Sequence, residues 1–294
     1  MAIKANLRAR RRRRRIMWVS ALAVLVALIV VAYLFAASSN NPYTSYIGQP
    51  VTSSLAQGLS GFSSSTLAAV GGGTGRAPPA ITGTPLTDNG KPEILYVGGD
   101  YCPYCAVTRW SIVIALSRFG NFTGLNYMLS SATDLNSNTP TFTFSNITYT
   151  SNYVSFVAVE HWDRSQNVLQ PLTSQEQSIY TQYDTGGIPF VDFANQYAIN
   201  GAPGGLGSID LSNKNWTQVA DLLNQPSSTT AQAILGEANY IISTICAIDG
   251  NAPSSVCSQS YATLPLAYQA ASGGESQPNV LAAYPARVES PWTV

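Results

Sequence analysis

A Cys-x-x-Cys motif follows a short apolar strand and opens a helix, and this order constrains the fold more than any other feature. Residues 94–97 are a β-branched and aromatic run of strand length, which two glycines end. Pro103 stands in the first turn of the helix, where its missing N–H costs no hydrogen bond. Cys102 and Cys105 therefore begin this helix, where unpaired N–H groups and the helix dipole favour a thiolate.

The charges of the chain are segregated, so its net charge of zero is misleading. Eight of the fifteen basic residues precede Ile16, whereas the remainder carries seven basic and fifteen acidic residues. Residues 16–37 contain no charge, and this length of helix reaches about 33 Å, enough to cross a bilayer. The basic segment 1–15 predicts a cytoplasmic N-terminus. The acidic remainder argues against nucleic acid as a partner.

A cleaved signal peptide is the alternative interpretation of this segment, because Ala36-Ala37-Ser38 offers small residues for cleavage. The apolar core of a signal peptide has about 7–15 residues, which is shorter than the run found here. We therefore favour an uncleaved, single-pass anchor in the cell membrane, whose residues 16–37 contact lipid. The C-terminal domain is then extracytoplasmic, where disulfides form and persist.

The Cys102–Cys105 pair has three candidate roles. In a redox role, Cys102 is the nucleophile because it is nearer solvent, and Cys105 resolves the mixed disulfide. The alternatives are a structural bridge and half of a zinc site. A zinc site needs two further ligands at paired spacing, and His161 is the one histidine. We therefore favour redox chemistry and expect no metal and no cofactor.

The second pair, Cys246 and Cys257, has no such motif around it. These cysteines bracket residues 249–253, a turn-forming run. We expect a structural disulfide that ties the end of a helix to the next segment. A relay pair that passes electrons to Cys102 and Cys105 is the alternative.

The second motif lies far along the chain, where Gly187-Ile188-Pro189 opens a strand. With strand, Cys-Pro-Tyr-Cys, helix and strand before it, this order resembles the thioredoxin superfamily over roughly residues 85–225. Residues 124–130 are expected as the second strand. In that superfamily a cis-proline packs against the redox pair and helps to hold the substrate. The resemblance implies this role for Ile188 and Pro189, and an α/β, thioredoxin-like fold.

The predicted organisation has six parts. They are a cytoplasmic basic segment (1–15), a transmembrane helix (16–37), a tether with short helices (38–84), a thioredoxin-like domain (85–225) with an insertion at about 131–182, a helical C-terminal extension with Cys246 and Cys257 (226–270), and a flexible tail (271–294).

A longer pattern is similar to an uncharacterised membrane-anchored family called domain of unknown function 929. The pattern runs through Tyr149-Thr150-Ser151, Phe156-Val157-Ala158-Val159-Glu160, Ile188-Pro189-Phe190-Val191-Asp192, Ala238-Asn239-Tyr240-Ile241, Ile245-Cys246 and Val256-Cys257. This family has no established activity, so the resemblance supports the fold and topology more than the chemistry.

One position departs from the thioredoxin pattern. Many thioredoxins carry a buried carboxylate six residues before the first cysteine, and it helps to move the proton of the second. Here that position is Tyr96, so water or Glu93 would have to substitute. Arg109 falls two helical turns from Cys102, about 10 Å along the axis, too far to set its pKa by contact.

These features predict a membrane-anchored thiol-disulfide oxidoreductase that acts on protein thiols and disulfides. Helix-terminal Cys-x-x-Cys pairs range from strong reductants to strong oxidants. One span supplies no quinone site, so we predict a separate membrane redox partner. The alternative is a non-catalytic thioredoxin-like ectodomain that binds proteins and holds its cysteines as structural disulfides.

Overall fold

The computed structural model describes residues 16–32, 41–183 and 187–266. The predicted segment 1–15, residues 33–37 of the predicted span, residues 38–40 of the tether and the tail 271–294 lie outside this range. The helices are α1 (Ile16–Ala32), α2 (Ser53–Ser60), α3 (Ser64–Val70), α4 (Pro103–Leu116), α5 (Ser174–Tyr183), α6 (Trp216–Leu223), α7 (Thr229–Ile248) and α8 (Ser254–Cys257). The strands are β1 (Thr87–Asp88), β2 (Lys91–Gly99), β3 (Gly120–Thr123), β4 (Asn126–Leu129), β5 (Pro140–Thr143), β6 (Thr148–Ser151), β7 (Ser155–Trp162), β8 (Phe190–Phe193) and β9 (Tyr197–Asn200).

A five-stranded mixed sheet is built around β2. Strand β7 pairs parallel with β2 on one side, and β8 pairs antiparallel with it on the other. Strand β9 pairs antiparallel with β8, and β1 pairs with the first residues of β2. The architecture is therefore α/β, as the sequence predicts.

Strand β2 is buried on both faces. Ile94 and Tyr96 belong to a core that includes residues of α4 and α7, whereas Leu95 and Val97 belong to a second core that includes residues of α5. Successive side chains of a strand point to opposite faces, so a continuous apolar run suits a strand between two layers. This explains why residues 94–97 show no alternation of apolar and polar residues.

Helices α4 and α7 pack against each other in the larger core. Every residue of α4 except Tyr104 is buried. The hydroxyl of Ser111 on α4 donates a 2.9 Å hydrogen bond to the carbonyl of Ile234 on α7. This packing fixes the axis of α4, and so the position of the two cysteines at its first turn.

The parallel neighbour of β2 is β7, and not the segment 124–130 that we expected as the second strand. That segment forms β4, which pairs antiparallel with β5 in a separate two-stranded sheet. Strands β3 and β6 form a second such sheet. Residues 124–130 and strand β7 are both short and apolar. Long-range pairing decides which of them lies beside β2, and the sequence pattern does not encode that pairing.

Two described helices bear on the predicted membrane span. Helix α7 is the one described helix that is long and apolar enough to cross a bilayer, but 78% of its apolar stretch is buried inside the fold. Helix α1 covers the first 17 residues of the predicted span, and its large apolar side chains are exposed.

Residues 41–50, expected within the polar tether, pack against the folded domain. The Tyr43 and Trp216 rings meet edge to face, with centroids 6.5 Å apart. The backbone N–H of Gly48 donates to the carbonyl of Tyr127 at 2.9 Å. Residues 41–50 therefore pack as part of the folded region that the structure describes.

Candidate functional site: a buried cysteine pair

Cys102 is the N-cap residue of α4, and its sulfur accepts a hydrogen bond from the backbone N–H of Cys105 at 3.3 Å. Burial opposes ionisation of its thiol. Hydrogen bonds from the Cys105 thiol, from the backbone N–H groups of Cys105 and Tyr104, and the charge of Arg109 outweigh this effect, so the pKa of Cys102 is lowered. The side chain is 5% exposed.

Cys105 lies one helical turn further on, and its side chain is fully buried. Burial raises the pKa of Cys105 well above its ordinary value, and the hydrogen bond and charge of Cys102 raise it further. Both cysteines are free thiols in the structure. The Cys102 thiol therefore loses its proton more readily than the Cys105 thiol.

The loop that carries Ile188 and Pro189 faces Cys102. The Cys102 thiol donates to the carbonyl of Ile188 across 3.8 Å. The peptide bond between Ile188 and Pro189 is cis. The carbonyl of Pro189 accepts the N–H of Gly201 at 2.8 Å, which ties this loop to the end of β9. The structure therefore brings together the two motifs that the sequence places about ninety residues apart.

An ionic cluster of Asp100, Arg109 and Glu160 lies beside the cysteine pair. The Arg109 guanidinium makes two hydrogen bonds of 2.7 Å to the Glu160 carboxylate, through Nε and Nη2. Its Nη2 also donates to the carbonyl of Gly99 at 2.8 Å and lies 3.7 Å from Oδ1 of Asp100. All three side chains of the ionic cluster are buried.

Arg109 influences both cysteines through its charge, because its side chain reaches back to the end of β2, where Nη2 binds the carbonyl of Gly99. Its charge lowers the pKa of Cys102 and opposes the rise at Cys105. A fully buried charge is screened by little water, so its field reaches further than at the surface. The sequence held a signal for this pair, since Arg109 is the one charged residue of α4 and Glu160 is the one carboxylate of β7.

Tyr96 stands six residues before Cys102, where the sequence resemblance leads us to expect a buried carboxylate. Its side chain is fully buried, and its hydroxyl has no hydrogen-bond partner. Burial raises the pKa of Tyr96 well above its ordinary value. Gly98 leaves room for this hydroxyl, because a Cβ there would lie 2.1 Å from it. Tyr96 therefore keeps its proton and cannot take over the role of a carboxylate.

Glu93 and Asp100 differ in their access to the site. Glu93 lies six residues before the end of β2, about 20 Å along the strand, so the structure does not bring it to the cysteines. Asp100 lies in the turn before Cys102, and its backbone N–H donates to the carbonyl of Trp162 at 2.8 Å. Burial, with the charge of Glu160, raises the pKa of Asp100 to about 7.

The other candidate residues from the sequence have partners other than Cys102 and Cys105. Cys246 and Cys257 form a disulfide, with Cα atoms 5.6 Å apart, that joins α7 to α8. The Nδ1 of His161 hydrogen-bonds to the carbonyl of Gln170 at 2.8 Å. No group of three or more His, Cys, Asp and Glu residues within 16–32, 41–183 and 187–266 is arranged to hold a metal ion.

Exposed apolar side chains concentrate on segments next to the cysteine pair. Tyr104 is exposed within the motif itself. The hairpin carrying Val168 and Leu169 returns to the end of β7, where the rings of Trp162 and Tyr101 meet edge to face at 6.4 Å. The loop carrying Leu135 begins near Ser131, whose backbone N–H donates to the carbonyl of Tyr101 at 2.8 Å. We call the set of Tyr104, Leu135, Val168 and Leu169 the apolar rim.

Fold and site define an α/β protein with an asymmetric, buried cysteine pair at the start of a core helix. The chain matches the family described as Domain of unknown function (DUF929) over residues 79–247, and it belongs to this family. The matched segment includes both motifs and the ionic cluster. Comparison with curated proteins and with solved structures finds no significant match.

Proposed function

We propose that this protein is a membrane-anchored thiol-disulfide oxidoreductase with a thioredoxin-like fold, acting on protein thiols and disulfides outside the cytoplasm. The observation that carries the proposal is the asymmetry of the pair. The pKa of Cys102 is lowered and that of Cys105 is raised, while the Ile188 carbonyl faces Cys102. A nucleophile and a resolving thiol require this division of roles.

The order of elements supports the thioredoxin-like assignment. Strand β2, helix α4, parallel strand β7, helix α5 and the β8–β9 hairpin follow one another, and a C-terminal helix comes after them. Under this proposal the insertion comprises residues 117–154, with β3 to β6, in place of about 131–182. Helices α7 and α8 then form the C-terminal extension.

Two observations support the anchor at residues 16–37. The large apolar side chains of α1 are exposed, as lipid contact requires. Helix α7 also has the length and composition of a membrane span. It is mostly buried in the fold, as a helix of the protein core is. The arginine-rich segment before α1 keeps the N-terminus in the cytoplasm.

The reaction balances as an exchange of two electrons. The Cys102 thiolate attacks one sulfur of a substrate disulfide, which forms a mixed disulfide and releases the other substrate sulfur as a thiolate. Cys105 gives its proton to the substrate thiolate released in the first step and attacks the sulfur of Cys102, which releases the second substrate sulfur as a thiolate. The substrate is reduced by two electrons, and the Cys102–Cys105 pair is oxidised. The reverse sequence oxidises a substrate dithiol.

The apolar rim supports a polypeptide as the substrate. Beyond α1, the described residues expose five large apolar side chains, and four of them are Tyr104, Leu135, Val168 and Leu169. Exposed apolar side chains on segments that adjoin a reactive group in sequence or by hydrogen bonds suit a polypeptide substrate better than a small polar thiol. A separate membrane dithiol or disulfide protein returns the pair to its starting state.

The burial of Cys102 favours one alternative, a non-catalytic ectodomain that binds proteins. A side chain that is 5% exposed reacts only if the substrate approaches closely or the neighbouring loop moves. In this alternative the pair is a structural element, and no turnover occurs.

Trapping decides between the two functions. In Cys105→Ala the mixed disulfide is not resolved, so we expect covalent adducts on Cys102 that a reductant releases. The matched control is the double variant Cys102→Ala/Cys105→Ala, which should form none. If Cys105→Ala yields no Cys102-dependent adduct and the unmodified protein reduces no insulin disulfide, the enzyme assignment is wrong.

A further inference from the structure

Arg109 connects three parts of the site through one guanidinium group. Its fork binds Glu160 on β7, and Nη2 also donates to the carbonyl of Gly99 at 2.8 Å. The same carbonyl accepts the backbone N–H of Cys102 at 3.2 Å. Arg109 and Cys102 therefore share an acceptor at the end of β2, and the turn between strand and helix is held from both sides.

Glu160 in turn fixes the guanidinium. Its Oε1 accepts the backbone N–H of Phe144 at 3.2 Å in addition to Nε of Arg109, and its own N–H donates to the side chain of Gln170 at 2.7 Å. A bidentate pair with both charges fully buried has a defined geometry. Glu160 acts on Cys102 through Arg109, whereas Arg109 acts through the Gly99 carbonyl and through its charge.

We propose that Arg109, oriented by Glu160, is a positioning residue of the redox pair, which fixes the turn that carries Cys102 and supplies the buried positive charge that stabilises its thiolate. This inference rests on the proposed function. The Cys-x-x-Cys motif itself contains no charged residue. Arg109, which lies further along the same helix, supplies the positive charge.

The charged and titratable groups around Cys102 come from each neighbouring element. Strand β2 contributes Tyr96, the turn contributes Asp100 and Tyr101, α4 contributes Cys105 and Arg109, and β7 contributes Glu160. Arg109 is the one positive charge in this set. Removing Glu160 and removing the whole ion pair must therefore move the reactivity of Cys102 in opposite directions.

The test is the pH dependence of Cys102 alkylation by iodoacetamide in the full-length, mildly reduced protein, with the modified residue assigned by mass spectrometry. In Glu160→Gln the negative charge is lost and Arg109 remains, so we expect alkylation at pH 6 to be about threefold to tenfold faster. In Arg109→Met/Glu160→Gln both charges and the bond to Gly99 are lost, so we expect alkylation to slow by a similar factor. Glu237→Gln, a buried substitution outside the cluster, is the matched control and should leave the rate unchanged.

Changes in the same direction in both variants, or no change in Glu160→Gln, would overturn the proposal. If the double variant does not fold, Arg109→Lys replaces it. That variant keeps the charge but loses the fork, so its alkylation rate should stay within about threefold of the unmodified protein, and a rate like that of an ordinary cysteine would overturn the proposal. Alkylation requires no turnover, so failure here is distinguishable from failure of the oxidoreductase assignment, which the trapping experiment measures.

Discussion

Tyr96 stands near the cysteine pair with a hydroxyl group that the fold leaves unpaired. Leaving a buried polar group without a partner costs about 1–3 kcal/mol. The ring itself is well packed, since it meets Phe144 edge to face at 5.1 Å and lies under the Arg109 guanidinium at 5.9 Å. The aromatic ring therefore stabilises the site, whereas the hydroxyl does not.

Replacing Tyr96 with Phe should leave the protein equally stable or stabilise it by up to about 1 kcal/mol, because the unpaired hydroxyl is removed. Urea denaturation measures the change. Tyr149→Phe is the matched control, since the Tyr149 hydroxyl donates to the Leu116 carbonyl at 2.9 Å, and its loss should cost about 1 kcal/mol. A loss above about 1 kcal/mol in Tyr96→Phe would mean that its hydroxyl is bonded in solution.

At this scale the sequence predicts that the Cys102–Cys105 pair begins a helix, but it does not predict the electrostatic surroundings of the pair. Cys102, Pro103 and Cys105 are close in sequence, so their relation to the start of the helix follows from local rules. Arg109 and Glu160 are 51 residues apart, and the bond between them depends on how α4 packs on β7. Arg109 and Glu160 are each a single charge within an apolar segment. This pattern indicates that each charge is buried, but it does not indicate which residue is its partner.

Helix α7 contains one glycine, and its position is set by a loop that crosses the helix. A Cβ at Gly236 would lie 2.5 Å from the carbonyl oxygen of Gly72 and 3.1 Å from the Cα of Gly73. Next to this contact, the N–H of Thr74 donates to the carbonyl of Gln232 at 2.9 Å. The loop before β1 therefore lies directly on the helix backbone, and glycine permits this approach.

Gly236→Ala should destabilise the protein by about 1–3 kcal/mol, although alanine favours a helix by about 1 kcal/mol over glycine. The steric conflict is with backbone atoms, which cannot turn aside as a side chain can. Gly58→Ala in α2 is the matched control, because nothing lies within 4 Å of a Cβ there, and it should stabilise by about 0.5–1 kcal/mol. Thermal unfolding of both variants checks the prediction, and a stabilised Gly236→Ala would contradict it.

Strand pairing marks the limit of prediction at the scale of elements. The hairpin of β8 and β9 follows from local signals, because two short strands flank the turn that contains Asn195 and Gln196. The choice between residues 124–130 and 155–162 as the parallel neighbour of β2 depends on contacts across the sheet. Either segment has the right composition, so the pattern of apolar residues alone could not identify β7.

Three buried carboxyl groups give the whole molecule an unusual relation to pH. Burial raises the pKa of Asp100 to about 7, that of Asp192 to about 7 and that of Glu237 to about 8. In the unfolded chain these groups lose their protons near pH 4. Between about pH 4 and 8 the folded protein therefore holds protons that the unfolded chain has released.

The free energy of unfolding should accordingly fall as the pH rises from 5 to 8. A raised pKa in the folded state contributes stability that is complete below the unfolded pKa and is lost as the pH passes the folded value. At about 1.4 kcal/mol for each pKa unit, a change on the order of a few kcal/mol is expected. Urea denaturation at several pH values measures it.

Asp192→Asn should reduce the slope of this pH dependence, because one of the three groups no longer titrates. The substitution keeps the acceptor for the N–H of Asn195, which Oδ1 now binds at 2.8 Å. Stability that rises between pH 5 and 8 in the unmodified protein would contradict the expectation.

The packing of α7 on α4 has a consequence for how the protein is made. Helix α7 is synthesised more than a hundred residues after α4, so at about 5–20 residues per second it emerges about 5 to 20 s later. During this interval α4 lacks the packing that Ser111 and its neighbours make with α7. If the domain is exported as proposed, and export proceeds as the chain grows, α4 reaches the disulfide-permissive compartment before α7 can pack on it.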